Sequence, residues 1–246
     1  MWPTLQAGPL SIPAYALCVL AGMWAAQHIR RSETRRIGQA HDQLPGARWV
    51  SVGALVGAVI GSKLGMVLFE PATAFSEHLA RALSFDFSGR TVVGGLIGGH
   101  LGVELAKKLV GIRRSTGDGW AVALPVAQGI GRLGCLLHGC CYGAETALGW
   151  SIELHGALRH PVQVVEALLV MALAGVLWTI RRRPRTEGHL YRTYLVGYAA
   201  IRFGCEFLRG DPGRAVGPLS AVQVVCLLVM VGFSWTLWRG RRRVLG

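Results

Sequence analysis

"VSVGALVGAVIGSKLGMVLF", Val50–Phe69, is twenty residues long and carries one charge, Lys63. A helix needs roughly 20 mostly apolar residues to cross a bilayer, so this stretch reads as a membrane span. Leu219–Trp238 repeats the pattern with no charge at all. Working outward, Ser11–Gln27, Thr91–Ala106, Gly119–Leu137, Pro161–Ile180 and Leu190–Leu208 are five further apolar runs. Together they predict an all-α integral membrane protein with seven transmembrane helices, residues 1–246 forming a single polytopic domain.

The chain is 52% hydrophobic and 16% charged, with a net charge of +13. Such an excess suits nucleic acid, but its placement assigns it to topology. Arg30, Arg31, Arg35, Arg36 and Arg48 follow the first span. Lys107, Lys108, Arg113 and Arg114 follow the third. Arg181, Arg182, Arg183 and Arg185 follow the fifth, and Arg239, Arg241, Arg242 and Arg243 close the chain. The opposite loops hold Arg81, Arg90, Arg159, Arg209 and Arg214, so the split is 17 against 5. Basic loops face the cytoplasm. The amino terminus is then outside and the carboxy terminus inside, and no nucleic-acid partner is expected. Met1–Gln27 lacks a basic leading region and reads as a first anchor rather than a cleaved signal.

Ionisable groups inside spans are costly and usually face a protein interior or a watery cavity. Arg132 lies in span four, where its planar donors suit a phosphate; snorkelling or a structural ion pair is the plainer role. Tyr194, Tyr198, Arg202 and Glu206 are spaced by four and share one helix face. Arg202 and Glu206 neutralise each other, or two arginines on different helices frame an anion site. Lys63 either adds a third positive charge or snorkels. Gly94-Gly95-Leu-Ile-Gly98-Gly99 allows close approach of a second helix or of a lipid head group. Gln163 and Glu166 share a face and suit structural bonds across helices.

These segments, in this order, resemble the prolipoprotein diacylglyceryl transferases. "GGLIG" at Gly94–Gly98 is similar to the family's glycine-rich segment. "GRLG" around Arg132, closing with Tyr142-Gly143, resembles its signature region. "HPVQVVE" at His160–Glu166 resembles its His-Pro-Ser-Gln element. Tyr198, Arg202 and Glu206 match a Tyr, Arg and Glu of the penultimate helix. "LS" followed by Gln223 resembles the start of the last helix, and Tyr15 matches a family tyrosine.

The resemblance implies a multi-pass protein of the bacterial inner membrane. It implies transfer of diacylglycerol from phosphatidylglycerol to the lipobox cysteine of a prolipoprotein signal peptide, with a thioether formed and glycerol-1-phosphate released. Arg132 and Arg202 are then phosphate clamps that stabilise charge in a low-dielectric pocket. Glu206 orients Arg202, and Tyr198 positions the head group. Tyr15, Gly94, Gly95, Gly98 and Gly143 are expected to line the lipid site. No metal or organic cofactor is implied. Two alternatives stand beside this reading: a divergent relative that moves another lipid group or uses another acceptor, and a non-catalytic protein that binds anionic lipid.

The chain departs from the family pattern in two places. The family carries a His immediately before "GGLIG", and this chain has Val93. The family signature reads Gly-Arg-hydrophobic-Gly-Asn, then Asn-Gly-Glu; here those polar positions are Cys135, His138 and Cys140. His138 is the expected replacement base, since its ordinary pKa of about 6.5 suits proton transfer near neutrality. His100, seven residues beyond Val93, is the weaker candidate. Cys135, Cys140 and Cys141 fit structural thiols or a disulfide, an altered active-site shell, or a metal site. The adjacency of Cys140 and Cys141 counts against one shared ion. Cys18, Cys205 and Cys226 read as small packing residues.

Overall fold

The computed structural model describes residues 4–7, 10–38, 46–69, 91–183, 186–210 and 215–245. The expected outer loop with Arg81 and Arg90, like Arg185 and Arg214, lies outside the described residues. Among those described, seven long helices follow one another: α1 (Ala14–Ile37), α2 (Ala47–Phe69), α3 (Val92–Val110), α4 (Ala123–His138), α5 (Val162–Ile180), α6 (His189–Glu206) and α7 (Ala221–Leu245). Three short antiparallel hairpins accompany them: β1 (Thr4–Ala7) with β2 (Leu10–Pro13) before α1, β3 (Ile152–Leu154) with β4 (Ala157–Arg159) between α4 and α5, and β5 (Ala215–Val216) with β6 (Leu219–Ser220) between α6 and α7. Each helix overlays one predicted span. Ala47–Phe69, Asp118–His138, Val162–Ile180 and Ala221–Gly240 are long and apolar enough to cross a membrane. The chain is thus a mostly helical multi-pass membrane protein.

Several boundaries differ from expectation. Ser11 belongs to β2, and α1 starts at Ala14 but runs ten residues past Gln27, taking in Arg30 to Arg36. The basic cluster is therefore helical, held by Glu33, whose carboxylate accepts from Arg36 of the next turn at 2.7 Å. Span four is not one helix. Asp118–Trp120 is a 3-10 turn, and α4 proper begins at Ala123. Pro125 explains the break, because a proline ring clashes with the carbonyl four residues earlier, here Ala121. Helices α1, α3 and α4 end on Gly38, Gly111 and Gly139, each left-handed with φ of 67°, 76° and 77°. Such glycines take up the last free carbonyls.

The chain forms two compact units. One gathers described residues of 1–39, 115–212 and 225–246; the other gathers those of 40–114 and 213–224. In the first, helices alternate in direction. Tyr15 at the start of α1 lies 6.1 Å, ring to ring, from His138 at the end of α4. At the other end, Glu33 of α1 accepts from Arg181, just past α5, at 3.1 Å. Asp118 caps α6 from 70 residues away, accepting from Gly188 N at 2.7 Å and Tyr191 N at 3.0 Å. Helix N-termini leave donors unpaired, and α6 lacks a side-chain cap of its own.

In the second unit, α2 and α3 meet through glycines four residues apart. A Cβ on Gly53, Gly57 or Gly61 would fall under 3.0 Å from the backbone oxygen of Gly102, Gly98 or Gly94, and the reverse holds for those three. Small residues at such spacing let membrane helices touch backbone to backbone. At the start of α7, Ser220 N donates to Gln223 Oε1 at 2.9 Å while Gln223 N donates to Ser220 Oγ at 3.2 Å. This is a capping box, and it accounts for the "LS" followed by Gln223 in the sequence.

Candidate active site

The first unit buries charge at one end, where α4, α5 and α6 meet. Arg132 sits midway along α4 and Glu166 in the second turn of α5. Arg132 Nη2 donates to Glu166 Oε1 at 2.7 Å, with both side chains nearly sealed from solvent. On α6, Arg202 Nη1 lies 2.5 Å from Glu206 Oε2, four residues on, and Arg209 Nε lies 3.9 Å from the same oxygen. Tyr198, 4% exposed, interacts electrostatically with Arg132, Glu166 and Arg202, so the two ion pairs form one cluster. Arg132 is set beside Glu166, and Arg202 and Arg209 are set beside Glu206, so guanidinium groups from α4 and from the end of α6 converge on this end of the unit. Buried charges are retained when they are paired, and planar guanidinium donors held in fixed positions suit an anion such as a phosphate.

Above the cluster, the chain leaving α4 folds back on itself. Cys140 N donates to Cys135 O at 3.1 Å after the left-handed Gly139. Cys141 is itself left-handed, φ 59°, an unusual conformation for a residue with a Cβ. Gln163 Nε2 donates to Cys140 O at 2.8 Å, and a His155 ring nitrogen lies 2.7 Å from Gly139 O. The result is a thiol cluster in which the Sγ atoms of Cys135, Cys140 and Cys141 all lie within 4.8 Å of one another. All six cysteines are free. Shared hydrogen bonds, first with Cys135, then Cys140, hold the Cys141 thiol below the ordinary cysteine value, and Arg132 and Arg209 add to that.

Several expected site residues fall elsewhere. His138 is exposed beside Tyr15 and is not brought to Arg132. Six residues along a helix of 3.6 per turn is about one and two-thirds turns, so the two side chains leave α4 on different faces. Tyr15 is 40% exposed at the start of α1. Gly143 is a packing position: its N–H donates to His160 O at 3.2 Å, and a Cβ there would lie 2.8 Å from Leu208 O. Gly94 and Gly98, expected to meet a head group, are covered by α2, as the glycine contacts above show. Gly95 has ordinary room, with Ala58 O and Ser62 Cβ at 3.6 Å from a built Cβ. These three glycines, buried Val93 and half-buried Lys63 belong to the second unit.

The sequence alone assigns Glu166 and Gln163 no more than structural bonds across helices. A signal for Glu166 was present. With Arg202 and Glu206 neutralising each other at i, i+4, Arg132 needed a second carboxylate, and Glu166 is the sole acidic residue of Val162–Ile180.

The prolipoprotein diacylglyceryl transferase family model matches residues 3–239. The chain belongs to this family. It is 32% identical to the phosphatidylglycerol–prolipoprotein diacylglyceryl transferase of Geobacter sulfurreducens, an alignment covering 96% of this chain and 94% of the relative. It is 31% identical to the protein of that name from Cupriavidus necator, over 97% and 92% of the two chains. It is 29% identical to phosphatidylglycerol–prolipoprotein diacylglyceryl transferase 2 of Clostridium perfringens, over 91% and 89%. Family membership thus extends over sequence belonging to both units.

Proposed function

We propose that this chain transfers diacylglycerol from phosphatidylglycerol to the lipobox cysteine of prolipoproteins in the bacterial inner membrane. It does so as one polytopic domain with seven spans, the amino terminus outside and the carboxy terminus cytoplasmic. The observation that carries the reading is the buried cluster of Arg132, Arg202 and Arg209 on Glu166 and Glu206, at the end of the first unit away from Arg30–Arg36 and Arg181–Arg183. By the charge rule those basic ends are cytoplasmic, which puts the cluster towards the outer side, where lipoprotein signal segments are processed.

In this reading the phosphate of phosphatidylglycerol docks on the guanidinium groups of this cluster. Arg132 and Arg202 hold its oxygens, Glu166 and Glu206 fix the guanidinium planes, and Tyr198 bounds the head group. The acceptor sulfur attacks the glyceryl carbon, the carbon–oxygen bond breaks, and its electron pair leaves on glycerol-1-phosphate. Donors fixed in a dry site stabilise that developing charge better than water does. Complementation of a strain depleted of its own transferase tests the reading: growth with lipidated prolipoprotein is expected. Stable expression without lipidation would overturn it, and retained phosphatidylglycerol binding in that case would select the non-catalytic lipid-binding alternative.

A further inference from the structure

We propose that Cys135, Cys140 and Cys141 bind one zinc-type divalent ion whose fourth position takes the acceptor cysteine and holds it as thiolate. The inference rests on the transfer reading above. It addresses what that reading leaves open, namely what deprotonates the acceptor when the family's histidine position is Val93 and His138 faces away.

The geometry fits an ion. Zinc–sulfur bonds are about 2.3 Å in a tetrahedral arrangement, so two sulfurs on one ion lie roughly 3.8 Å apart. The three Sγ atoms are all within 4.8 Å of one another, so binding an ion would draw them inward by up to about an ångström. The adjacency of Cys140 and Cys141, unpromising in the sequence, is resolved by the backbone. Left-handed Gly139 and left-handed Cys141 flank Cys140 and turn both thiols back onto the last turn of α4. A non-glycine residue held in that region marks a conformation that the surroundings enforce. The enforcing contacts are present: Gln163 holds the Cys140 carbonyl and His155 contacts that of Gly139. Such outer partners orient ligands.

The ligand count favours a reactive ion over a structural one. Among the described residues no fourth Cys, His, Asp or Glu joins the three thiols. Structural zinc sites are closed by four protein ligands, whereas reactive ones keep three and an open position. Arg132 and Cys135 are three residues apart on α4 and share a face, so an ion here adjoins the phosphate-holding side chain.

The step balances without an oxidant or reductant. The acceptor thiol, ordinarily with a pKa of about 8.5, loses its proton to solvent as its sulfur binds the ion; a coordinated thiol is deprotonated outright. The sulfur then forms the bond to the glyceryl carbon, the carbon–oxygen bond breaks, and the electron pair departs on the phosphate. The thioether product, now neutral, is a weaker ligand and leaves.

The test uses the purified full-length protein in phosphatidylglycerol nanodiscs, with cobalt(II) as optical probe and a lipobox peptide as acceptor. One thiolate-bound cobalt per chain is expected, and its absorption shifts on adding the peptide but not its Cys→Ser counterpart. Cys141→Ser weakens binding by at least about tenfold, the lower end of what even an outer partner costs; Cys226→Ser leaves it unchanged. Chelation lowers transfer by a similar factor, and zinc restores it. Lack of stoichiometric metal, a disulfide within the cluster, a cobalt spectrum indifferent to the peptide, or full-rate transfer after chelation overturns the inference and leaves transfer standing. Should Cys141→Ser not fold, the wild-type spectrum and chelation series decide alone. Metal and peptide binding without any lipidated product would instead overturn the transfer reading and leave the thiol site.

Discussion

Arg132 and Glu166 are 34 residues apart in the chain and 2.7 Å apart in space. The bond joins the middle of α4 to the start of α5 and is buried on both sides, so neither partner can turn to water if the other is lost. Removing one member of a buried pair typically costs about 3–5 kcal/mol, mostly from the stranded charge. Glu166→Gln is therefore expected to lower the thermal unfolding midpoint in detergent sharply. Arg132→Gln with Glu166→Gln should cost less than the two single changes combined, by roughly 0.5–3 kcal/mol. Additive losses would mean that the two side chains are not coupled.

Arginine geometry separates binding an anion from merely balancing charge. Arg132→Lys and Arg202→Lys keep the charge and lose the planar fork. Each is expected to slow lipid turnover by about 1.5–3 kcal/mol, or roughly 10- to 150-fold at 1.36 kcal/mol per decade, while unfolding shifts little. Exposed His138→Gln should slow it far less. Near-normal turnover in both lysine variants would make these arginines structural.

The glycine seam between α2 and α3 makes a site-specific forecast. Gly98→Ala places a methyl against the Gly57 carbonyl, whereas Gly95→Ala meets its nearest neighbours at 3.6 Å. Overpacking typically costs about 1–3 kcal/mol. Gly98→Ala should reduce folded yield and thermal stability by that order, and Gly95→Ala should leave both intact. Equal tolerance would show that the helices do not meet there.

The thiol loop has a reactivity signature. The Cys141 thiol is held low, first by its hydrogen bonds with Cys135 and Cys140. Cys140 is pushed above the ordinary value, first by its bond with Cys135. A lowered pKa keeps more thiolate as pH falls, and the thiolate is the nucleophile. In metal-free protein, limited alkylation below the ordinary thiol range of about 8–9 should therefore mark Cys141 before Cys140, read by mass spectrometry. The reverse order would contradict the hydrogen-bond pattern.

Topology is tested at two points. A reporter fused after Gly246 should be active in the cytoplasm. An epitope inserted at Gly149, whose surroundings are open within 4 Å, should be reached from outside. The opposite result would place the arginine cluster on the wrong face.

The long apolar runs were legible because a bilayer imposes a length that composition alone satisfies. Helix ends were less so. The first helix runs on through Arg30–Arg36 because Glu33 and Arg181, 148 residues apart, pair across it, and no local pattern shows a partner that distant. Arg202 and Glu206 were legible as a pair because i, i+4 spacing is geometry written in the chain; Arg132 and Glu166 were not, because their meeting depends on how α4 lies against α5. The same limit hid the thiol cluster. Cys140 and Cys141 look mutually exclusive until the left-handed turn at Cys141 is known.

Glu33 carries a further consequence, for the order in which the protein is made. It is 1% exposed, and its distant partner Arg181 is synthesised long after α1. In the finished fold its carboxylate is sealed and needs partners on both oxygens. Arg36, one turn on at 2.7 Å, is a partner available as soon as the helix itself forms. When the end of α5 arrives, Glu33 has a second oxygen ready for Arg181 at 3.1 Å. The carboxylate thus joins a local contact to a distant one, tying the end of α1 to the end of α5 through a single side chain.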